Sequence, residues 1–441
     1  MFNKKKICAF LSLSLFSLSI LSACSQEGDQ SNAKNGNGKD VTIQYWHANV
    51  EEERVQLLKE LIQKFEKQNP GIHVQQVPVP EEDLPNKISA AMGANQLPAI
   101  IESGIEQTLL LSEEGVSDTK LHEEIINEIG KDDFFRGVLD TTKSPDGNGY
   151  LGVPIYGWVQ GIWYNKRLFE EKGLEAPTTW ENILKAAKTF YDPANKKYGI
   201  VIGTQKDQFT EQTFSQFALS NNAAIFDEKG KINVDSPEMK ESLNFYKELA
   251  KYTPEGAESW REAKEMYLSE RAPMVMYSTY IMGDLSQNTQ LAQSTGFAIP
   301  EKKKKASFGQ ITSFVITNTI SEDERNAAKR FTKFLMEKEN YIKFLHMSPG
   351  GQNPTRKSIA QDPEYLNNEV LKTFGEVASQ IPFGLENLQR FDVVNGKIYP
   401  EMSDISAQFI ISEGIYNMTE HGIQPDEVTK TVKEKIEKVM K

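Results

Sequence analysis

The sequence predicts an α/β fold divided into two lobes. From Val41 onward, short runs rich in β-branched and aromatic residues alternate with amphipathic helical segments, and this alternation is typical of proteins that pack helices against sheets. The chain has 441 residues, more than one hydrophobic core usually serves, so its length favours two lobes over one. The first 39 residues do not follow this pattern.

An apolar segment at the N-terminus has the features of a secretory signal. Three lysines at positions 4–6 precede an apolar run over residues 7–20, which is too short to cross a bilayer, where about 20 residues are needed. The run ends in the sequence LSAC at residues 21–24, which resembles a lipoprotein signal-peptidase site. We expect cleavage before Cys24 and a lipid on that cysteine. The alternative is an ordinary signal peptide or a buried apolar helix.

Residues 25–39 separate this signal from the first predicted strand. They contain no large apolar side chain and are rich in Gly, Asn, Ser and charge, so they cannot bury enough surface to fold. A flexible segment of this length spans on the order of 20 Å. We therefore predict a signal peptide over residues 1–23 and a flexible tether over residues 24–39.

Cysteine and charge narrow the possible functions. Cys8 lies in the segment expected to be removed and Cys24 is the expected lipid site, so the mature chain would depend on its core for stability without a disulfide. The chain has 50 Lys and Arg, three of them in the signal, against 62 Asp and Glu. This acidic balance argues against nucleic-acid binding and discourages anionic ligands.

Three strands and two helices are predicted between residues 41 and 101. Asn49 is the expected N-cap of the first helix, because three glutamates follow it, apolar residues then recur at helical spacing, and the sequence NPG at residues 69–71 ends the pattern. The predicted strands are 41–46, 72–77 and 99–101, and the second helix lies near residues 84–95.

The second region begins near residue 150. Thr178 and Glu181 have the spacing of a capping box, which would open a helix over residues 180–190. Trp163 and Trp180 are expected in the core. Further predicted helices cover 212–221, 237–251 and 263–270, predicted strands cover 198–202, 273–277, 295–299 and 314–316, and the chain beyond residue 321 is largely helical.

Patterns that would support catalysis are missing from the sequence. The five histidines show no metal-ligand spacing, and no nucleophile elbow, phosphate-binding loop or dinucleotide fingerprint follows a predicted strand. A glycosidase that uses two carboxylates is still an alternative, because its two acids need not be neighbours in sequence. We expect no catalytic metal and no cofactor.

Aromatic residues gather at the ends of predicted strands, where α/β proteins place their ligands. Sugars present apolar faces that stack on such rings and hydroxyl groups that hydrogen-bond to nearby polar side chains. The clusters therefore favour a carbohydrate site, and the alternative is that the rings pack in the core. The three clusters are Trp46 with His47, Tyr156 with Trp158, and Tyr277 with Tyr280.

Several short motifs, taken in order, resemble those of the family 1 extracellular solute-binding proteins, the relatives of maltose-binding protein that deliver sugars to ABC importers. The similarity covers essentially the whole mature chain, and it is the order and spacing of the motifs that make it specific. The motifs are GVP at 152–154, WYNK at 163–166, APTTW at 176–180, PMVMY at 273–277, GFAIP at 296–300, an alanine- and phenylalanine-containing helix over 327–335, and PGGQNPTR at 349–356.

The resemblance implies the two-lobed fold of periplasmic-binding proteins (type II), in which each lobe is a mixed β-sheet flanked by helices and a hinge joins the lobes. The chain would cross between the lobes near residues 150–154, near residues 296–300 and again around residues 336–343. The implied N-terminal lobe comprises residues 40–152 and 300–338, and the implied C-terminal lobe comprises residues 153–299 and 339–441. The ligand would lie between the lobes.

The resemblance also implies individual ligand contacts. Trp158 lies two residues before Gln160, at a position where relatives often contact the ligand. Tyr280 stands where relatives often place a stacking tryptophan. Relatives often carry paired glycines where this chain has Gln310. This chain departs from the family pattern there, and we expect Gln310 to lie in the cleft.

Two further positions follow from the ligand loop of the family. Glu102 and Ser103 come directly after a predicted strand, as that loop does, and a solvated loop acid is the alternative for Glu102. His47 either donates to a sugar hydroxyl or caps its strand. The predicted ligand-binding residues are His47, Glu102, Ser103, Tyr156, Trp158, Tyr277, Tyr280, Gln310, Gln352 and Asn353.

The expected function is therefore binding without bond chemistry. The chain would be an exported monomer, held by lipid on the outer face of the cell membrane of a Gram-positive bacterium. It would capture a mono- or oligosaccharide and deliver it to the permease subunits of an ABC importer. A surface carbohydrate hydrolase and a ligand-presenting receptor for a signalling partner are the alternatives.

Overall fold

A computed structural model describes residues 40–394 and 397–441 of the chain. The predicted signal, the predicted tether and Cys24 lie outside these residues. The chain from Asp40 to Lys441 groups into one unit. None of the helices in the described part combines the length and the apolar character that crossing a membrane requires.

Six of the seven segments predicted as strands form strands or parts of longer strands, whereas three two-residue strands after residue 352 match no predicted strand. Residues 198–202 do not form a strand; only Val201 makes a single bridge, to Val275. The strands of the described residues are β1 (Val41–His47), β2 (Ile72–Pro78), β3 (Ile100–Gly104), β4 (Val153–Asn165), β5 (Met274–Ser278), β6 (Thr295–Ala298), β7 (Gly309–Ile316), β8 (Asn353–Pro354), β9 (Val393–Val394) and β10 (Lys397–Ile398).

Helices account for most of the remaining chain, and the region after residue 321 is largely helical, as predicted. Short 3-10 helices cover Lys131–Asp133, Pro193–Asn195 and Ile381–Asn387. The α-helices are α1 (Glu52–Gln68), α2 (Leu84–Gly93), α3 (Ile105–Glu113), α4 (Thr119–Ile129), α5 (Arg136–Thr142), α6 (Lys166–Glu171), α7 (Trp180–Phe190), α8 (Gln208–Ser220), α9 (Pro237–Ala250), α10 (Trp260–Leu268), α11 (Ile281–Leu285), α12 (Thr289–Ser294), α13 (Glu322–Leu335), α14 (Lys338–Leu345), α15 (Lys357–Ala360), α16 (Pro363–Leu366), α17 (Glu369–Phe374), α18 (Glu376–Gln380), α19 (Glu401–Ala407), α20 (Ile410–Glu420) and α21 (Pro425–Val439).

The long strand β4 belongs to two groups of strands. The strand order is β2, β1, β3, β7, β4, β5, with β6 and β8 also paired to β4. The first half of β4, from Val153 to Val159, pairs antiparallel with β7, whereas its second half, from Gln160 to Asn165, pairs with β5 and β6. Since β1 runs parallel to β2 and β3, the sheet is mixed.

Neighbouring residues of β4 serve different hydrophobic cores. Successive side chains of a strand point to opposite faces, and Ile162 and Trp163 accordingly belong to separate buried clusters. Trp163 is fully buried against Phe297, and its indole N–H donates to the carbonyl of Tyr277. Trp180 is buried in the cluster that contains Ile162. The prediction that both tryptophans are core residues is confirmed.

Two predicted helix caps are wrong by one or two residues. Helix α1 begins after Glu51 instead of Asn49, and the side chain of Asn49 is drawn to a buried carboxylate, described below. Helix α7 is capped by Thr179, whose hydroxyl accepts from the N–H of Asn182. Both errors arise because several residues near a helix start are capable of capping, and tertiary contacts decide which one does so.

Candidate functional site

The paired strands β4 and β7 place four polar or aromatic side chains on one face of the sheet. Tyr156 lies opposite Thr312, and Trp158 lies opposite Gln310. Because residues two apart on a strand share a face, all four side chains point the same way. They form the floor of a cavity of about 570 Å³, a volume typical of small-molecule sites.

The walls of this cavity come from segments far apart in sequence. The loop after β1, the end of β3, the start of α8, the residue before α11 and helix α19 all contribute. The lining residues are Ala48, Asn49, Arg54, Glu81, Leu84, Pro85, Glu102, Ser103, Gly104, Glu106, Gln107, Tyr156, Trp158, Gln208, Tyr280, Gln310, Thr312, Gln352, Arg390, Asp392, Met402, Ser403, Ser406 and Ala407.

Glu102 is held by three hydrogen-bond donors at one side of the cavity. Its Oε1 accepts from Asn49 Nδ2 at 3.1 Å and from the Tyr156 hydroxyl at 3.0 Å, and its Oε2 accepts from the Tyr45 hydroxyl. The residue lies within β3 and is 2% exposed. The alternative that Glu102 is a solvated loop acid is therefore wrong.

The surroundings of Glu102 shift the pKa values of its carboxyl and of the two tyrosines that donate to it. Burial raises the pKa of its carboxyl, although the hydrogen bonds from Tyr45, Tyr156 and Asn49 act in the opposite direction. Burial and the neighbouring carboxyl also raise the pKa of both tyrosines well above the ordinary value. The tyrosines therefore stay protonated and act as donors, which fixes the orientation of the carboxyl at the cavity wall.

Arg390 organises a second polar group, which we call the Arg390 cluster: Arg390, Asp392, Glu106 and Gln310. The Nε of Arg390 donates to Asp392 at 2.9 Å, its Nη2 donates to Glu106 Oε1 at 2.9 Å, and its Nη1 donates to Gln310 Oε1 at 2.8 Å. Arg390 and Asp392 are each 8% exposed. Burial acts to raise the pKa of Glu106, but the charge of Arg390 and the amide of Gln310 outweigh it, so that the net shift is downward.

A smaller chamber of about 80 Å³ adjoins the main cavity at the Arg390 cluster. It shares Glu106, Gln310, Arg390 and Asp392 with the main cavity and adds Glu211 to the lining. Glu211 accepts a hydrogen bond from Ser406 Oγ at 2.5 Å. Burial raises the pKa of this carboxyl to about 7, so it is partly protonated near neutral pH.

Two rings offer surface to a ligand. The Trp158 ring lies 5.9 Å from the ring of Phe308, measured between centroids, and is partly exposed in the cavity. Tyr280 is 44% exposed, unusually high for a large aromatic side chain next to a core. Exposed ring faces beside carboxylate and amide groups are suited to binding a molecule with both apolar and hydroxyl-bearing surfaces.

Two polar atoms of the lining have no hydrogen-bond partner among the described residues: Ser103 Oγ and Gln352 Oε1. Both residues are almost completely buried, at 3% and 2% exposure. Buried polar atoms without partners are unfavourable, and both atoms belong to residues that line the cavity.

Seven of the ten ligand-binding residues predicted from sequence line the cavity, and three do not. His47 is buried, and its Nε2 lies 3.1 Å from Gln76 Oε1. Tyr277 is buried beside Phe209. The Asn353 side chain donates to backbone carbonyls and to a hydroxyl within the core. The seven residues that line the cavity are Glu102, Ser103, Tyr156, Trp158, Tyr280, Gln310 and Gln352.

The sequence does not predict most of the second polar group. Arg390 and Asp392 lie between a 3-10 helix and the two-residue strand β9, where no periodicity marks them. Glu106, in the first turn of α3, looks like an ordinary helix-start acid. Asn49 is predicted from the sequence only as a helix cap. Only the fold brings these four residues to one cavity.

The arrangement is suited to reversible binding. Among residues 40–394 and 397–441, no group of three or more His, Cys, Asp or Glu side chains is placed to hold a metal ion. Glu102 and the Arg390 cluster are instead engaged in hydrogen bonds that fix their orientation, as in a preformed ligand site.

Comparison with known proteins gives a consistent result. The family model described as bacterial extracellular solute-binding protein matches residues 48–342. A protein of Escherichia coli K12 described as the ABC transporter periplasmic-binding protein YcjN is 36% identical over 405 residues, which is 92% of each chain. The multiple sugar-binding protein of Streptococcus mutans is 26% identical over 346 residues, 74% of this chain and 75% of that protein.

The fold is similar to that of solved structures in the same group. The maltose-bound MalE3 of T. maritima superposes with a TM-score of 0.69 at 20% identity, and the match covers 90% of this chain and all of that one. This likeness establishes the fold and confirms the prediction of a two-lobed α/β protein.

Proposed function

The chain belongs to the family of bacterial extracellular solute-binding proteins, and from this premise we propose that it is the lipid-anchored receptor of an ABC importer and captures a carbohydrate. Members of this family are non-enzymatic components of transport systems, so the chain is not an enzyme. Its task is to bind a solute and release it. The nature of the solute and the anchoring at Cys24 are the parts that we propose.

One observation carries the carbohydrate proposal: the cavity presents ring faces next to oriented hydrogen-bonding groups. Trp158 and Tyr280 supply the rings, whereas Glu102, Glu106 and Gln310 supply acceptors and donors in fixed positions. A pyranose has apolar C–H faces and a rim of hydroxyl groups, which match these two kinds of surface. The multiple sugar-binding relative and the maltose-bound structure support the same ligand class.

We further propose that two lobes close on the ligand, with the boundaries predicted from sequence: 40–152 with 300–338, and 153–299 with 339–441. The cavity is lined from both sets of residues, for example by Glu102 of the first and Ser403 of the second. Hinge closure around a ligand is a common device of binding proteins. The closed form would be the one that the permease recognises.

A thermal-shift screen over mono- and oligosaccharides tests the ligand class. A ligand at 100 times its Kd stabilises the folded state by about 2.7 kcal/mol, which raises the melting temperature measurably. We expect at least one carbohydrate to do so. The carbohydrate proposal fails if amino acids, peptides or other solutes shift the melting temperature and no sugar does.

Replacing Trp158 or Tyr280 with alanine is expected to weaken carbohydrate binding. Loss of a stacked ring should cost about 1 kcal/mol or more, which is at least about a fivefold increase in Kd. Isothermal titration calorimetry with the sugar found in the screen measures this change.

Trp260→Ala is the matched control for these two variants. Trp260 is 41% exposed and stacks with Arg261 and Lys264 at the start of α10, away from the cavity lining. Its replacement should leave Kd unchanged. If Trp158→Ala and Tyr280→Ala bind sugar as the unmodified protein does, neither ring contacts the ligand.

Replacing Cys24 with serine is expected to prevent lipid attachment. Only a cysteine thiol carries the thioether-linked lipid of a lipoprotein signal, so metabolic labelling with palmitate should mark the unmodified protein and not the Cys24→Ser variant. Cys8→Ser is the control, because Cys8 lies in the segment expected to be removed. Equal labelling of the two variants would contradict anchoring at Cys24.

A further inference from the structure

We propose that the Arg390 cluster makes the cavity selective for uncharged carbohydrates and against acidic or phosphorylated ones. This inference rests on the proposed function, because it names the charge class of the sugar. The reasoning uses the charges that line the cavity, the partners of each cation and the hydrogen-bonding needs of each ligand class.

Negative side chains outnumber positive ones around the cavity. Its described lining includes four carboxylates and two guanidinium groups, with no lysine and no histidine. The adjoining chamber adds the carboxyl of Glu211 and no further cation. The four carboxylates of the main cavity belong to Glu81, Glu102, Glu106 and Asp392.

Both guanidinium groups already contact carboxylates of the protein. Arg390 forms ion pairs with Asp392 and with Glu106, each at 2.9 Å. Arg54 forms an ion pair with Glu51 at 3.2 Å. Arginine is the side chain that most often recognises a carboxylate or phosphate, through paired N–H donors. All three guanidinium nitrogens of Arg390 serve internal partners, whereas Arg54 uses only Nη1 in its pair with Glu51. An anionic ligand at the Arg390 cluster therefore meets a guanidinium group that is already neutralised.

An anionic group on the ligand would therefore face an unfavourable field. At the Arg390 cluster it would lie beside Glu106 and Asp392, and like charges brought together at a binding interface are strongly unfavourable. It could bind Arg390 only by displacing one of these carboxylates, which would then lose its partner. The Asp392 side chain is 12% exposed and that of Glu106 is 39% exposed.

Uncharged hydroxyl groups meet the opposite situation. Each carboxylate oxygen has two lone pairs and can accept two hydrogen bonds. Glu106 Oε1 accepts from Gln310 and Arg390, which leaves the acceptor sites of Oε2 for a ligand. A sugar hydroxyl can donate to the remaining sites without adding charge. Charge-assisted hydrogen bonds of this kind are about twice as strong as neutral ones.

Matched probes test the charge selectivity. Glucose and galactose are compared by calorimetry with glucuronate and galacturonate and with the 6-phosphates of the two hexoses, all of which keep the pyranose ring. For every neutral sugar that binds, we expect each acidic counterpart to bind at least tenfold more weakly. Equal or tighter binding of an acidic counterpart would overturn the inference and leave the carbohydrate proposal intact. Binding of no carbohydrate in any charge state would overturn both.

A pair of variants tests whether Arg390 is the determinant. Glu106→Gln removes one carboxylate from Arg390 and keeps the shape of the side chain, so the ratio of acidic to neutral Kd should fall at least tenfold. Glu81→Gln is the control: it changes the cavity charge by the same amount, but Glu81 lies near Tyr280 and makes no described ion pair with Arg390. The ratio should then change less than threefold. If both variants change the ratio equally, the selectivity does not depend on the Arg390 cluster.

Discussion

Replacing Glu102 with alanine is expected to abolish ligand binding and to lower the free energy of unfolding by about 2 to 4 kcal/mol. The variant would leave the buried donors of Tyr45, Tyr156 and Asn49 without their acceptor. Each buried donor left unpaired costs about 1 to 3 kcal/mol, and water entering from the cavity would offset part of that sum. Denaturant unfolding gives the stability change, and calorimetry with the bound sugar gives the affinity.

Tyr45→Phe separates the effect of Glu102 on stability from its effect on ligand binding. This variant removes one donor behind the carboxyl and leaves the cavity side of Glu102 unchanged, because Tyr45 does not line the cavity. We expect a stability loss of about 1 kcal/mol with measurable sugar binding. If Glu102→Ala binds sugar as tightly as the unmodified protein, the carboxyl has a structural role only.

Replacing His122 with glutamine is expected to remove a large pH-dependent loss of stability. The His122 ring is fully buried on α4; its Nε2 accepts from the N–H of Ile316 at 2.8 Å, and its Nδ1 lies 3.0 Å from the carbonyl of Tyr150. This ring thus joins the end of β7 to the segment that leads into β4. The N–H of Ile316 needs one acceptor and the carbonyl of Tyr150 needs one donor, and the neutral ring supplies both.

Burial lowers the pKa of His122 to about 4, below the value of about 6.5 in an unfolded chain. As the pH falls through 6.5, the unfolded chain therefore takes up a proton that the folded chain does not, and stability decreases until the pH reaches about 4. The decrease attributable to this ring is on the order of 3 kcal/mol.

Glutamine can accept from Ile316 and donate to Tyr150 without titrating. The difference in unfolding free energy between the His122→Gln variant and the unmodified protein should therefore shift in favour of the variant as the pH falls from 7 to 4. Urea unfolding at a series of pH values measures the difference, in which the titrations of all other groups cancel. A difference independent of pH would mean that the ring is not held in the neutral form.

The sequence predicted the aromatic part of the site better than its charged part. The sequence predicts Tyr156 and Trp158 as rings at the end of a short strand, but both lie within the longer strand β4, whose pairing with β7 brings Gln310 and Thr312 alongside. Tyr277 has the same local signal, yet it packs beside Phe209 in the core. Whether a ring near a strand end points inward or outward depends on partners that the local sequence does not reveal.

Arg390 shows a second kind of residue whose role could not be predicted from the sequence. Its three side-chain partners come from α3, β7 and its own segment, and Glu106 is 284 residues away in the chain. A single sequence contains no signal for such a pairing, because each residue alone is an ordinary surface charge. The same holds for Asn49, which the sequence predicts as a helix cap and which the fold brings to Glu102 instead.

The pairing of β3 with β7 has a consequence for the order in which this chain folds. Ile100 pairs with Ile316, and β7 also receives the first half of β4. The ribosome therefore makes β1, β2, β3 and β4 long before the strand that joins them exists, and until then β3 has an unpaired edge. A chain with so distant a pairing folds slowly. If the proposed signal directs export of the unfolded chain, this delay would keep the nascent chain competent for export.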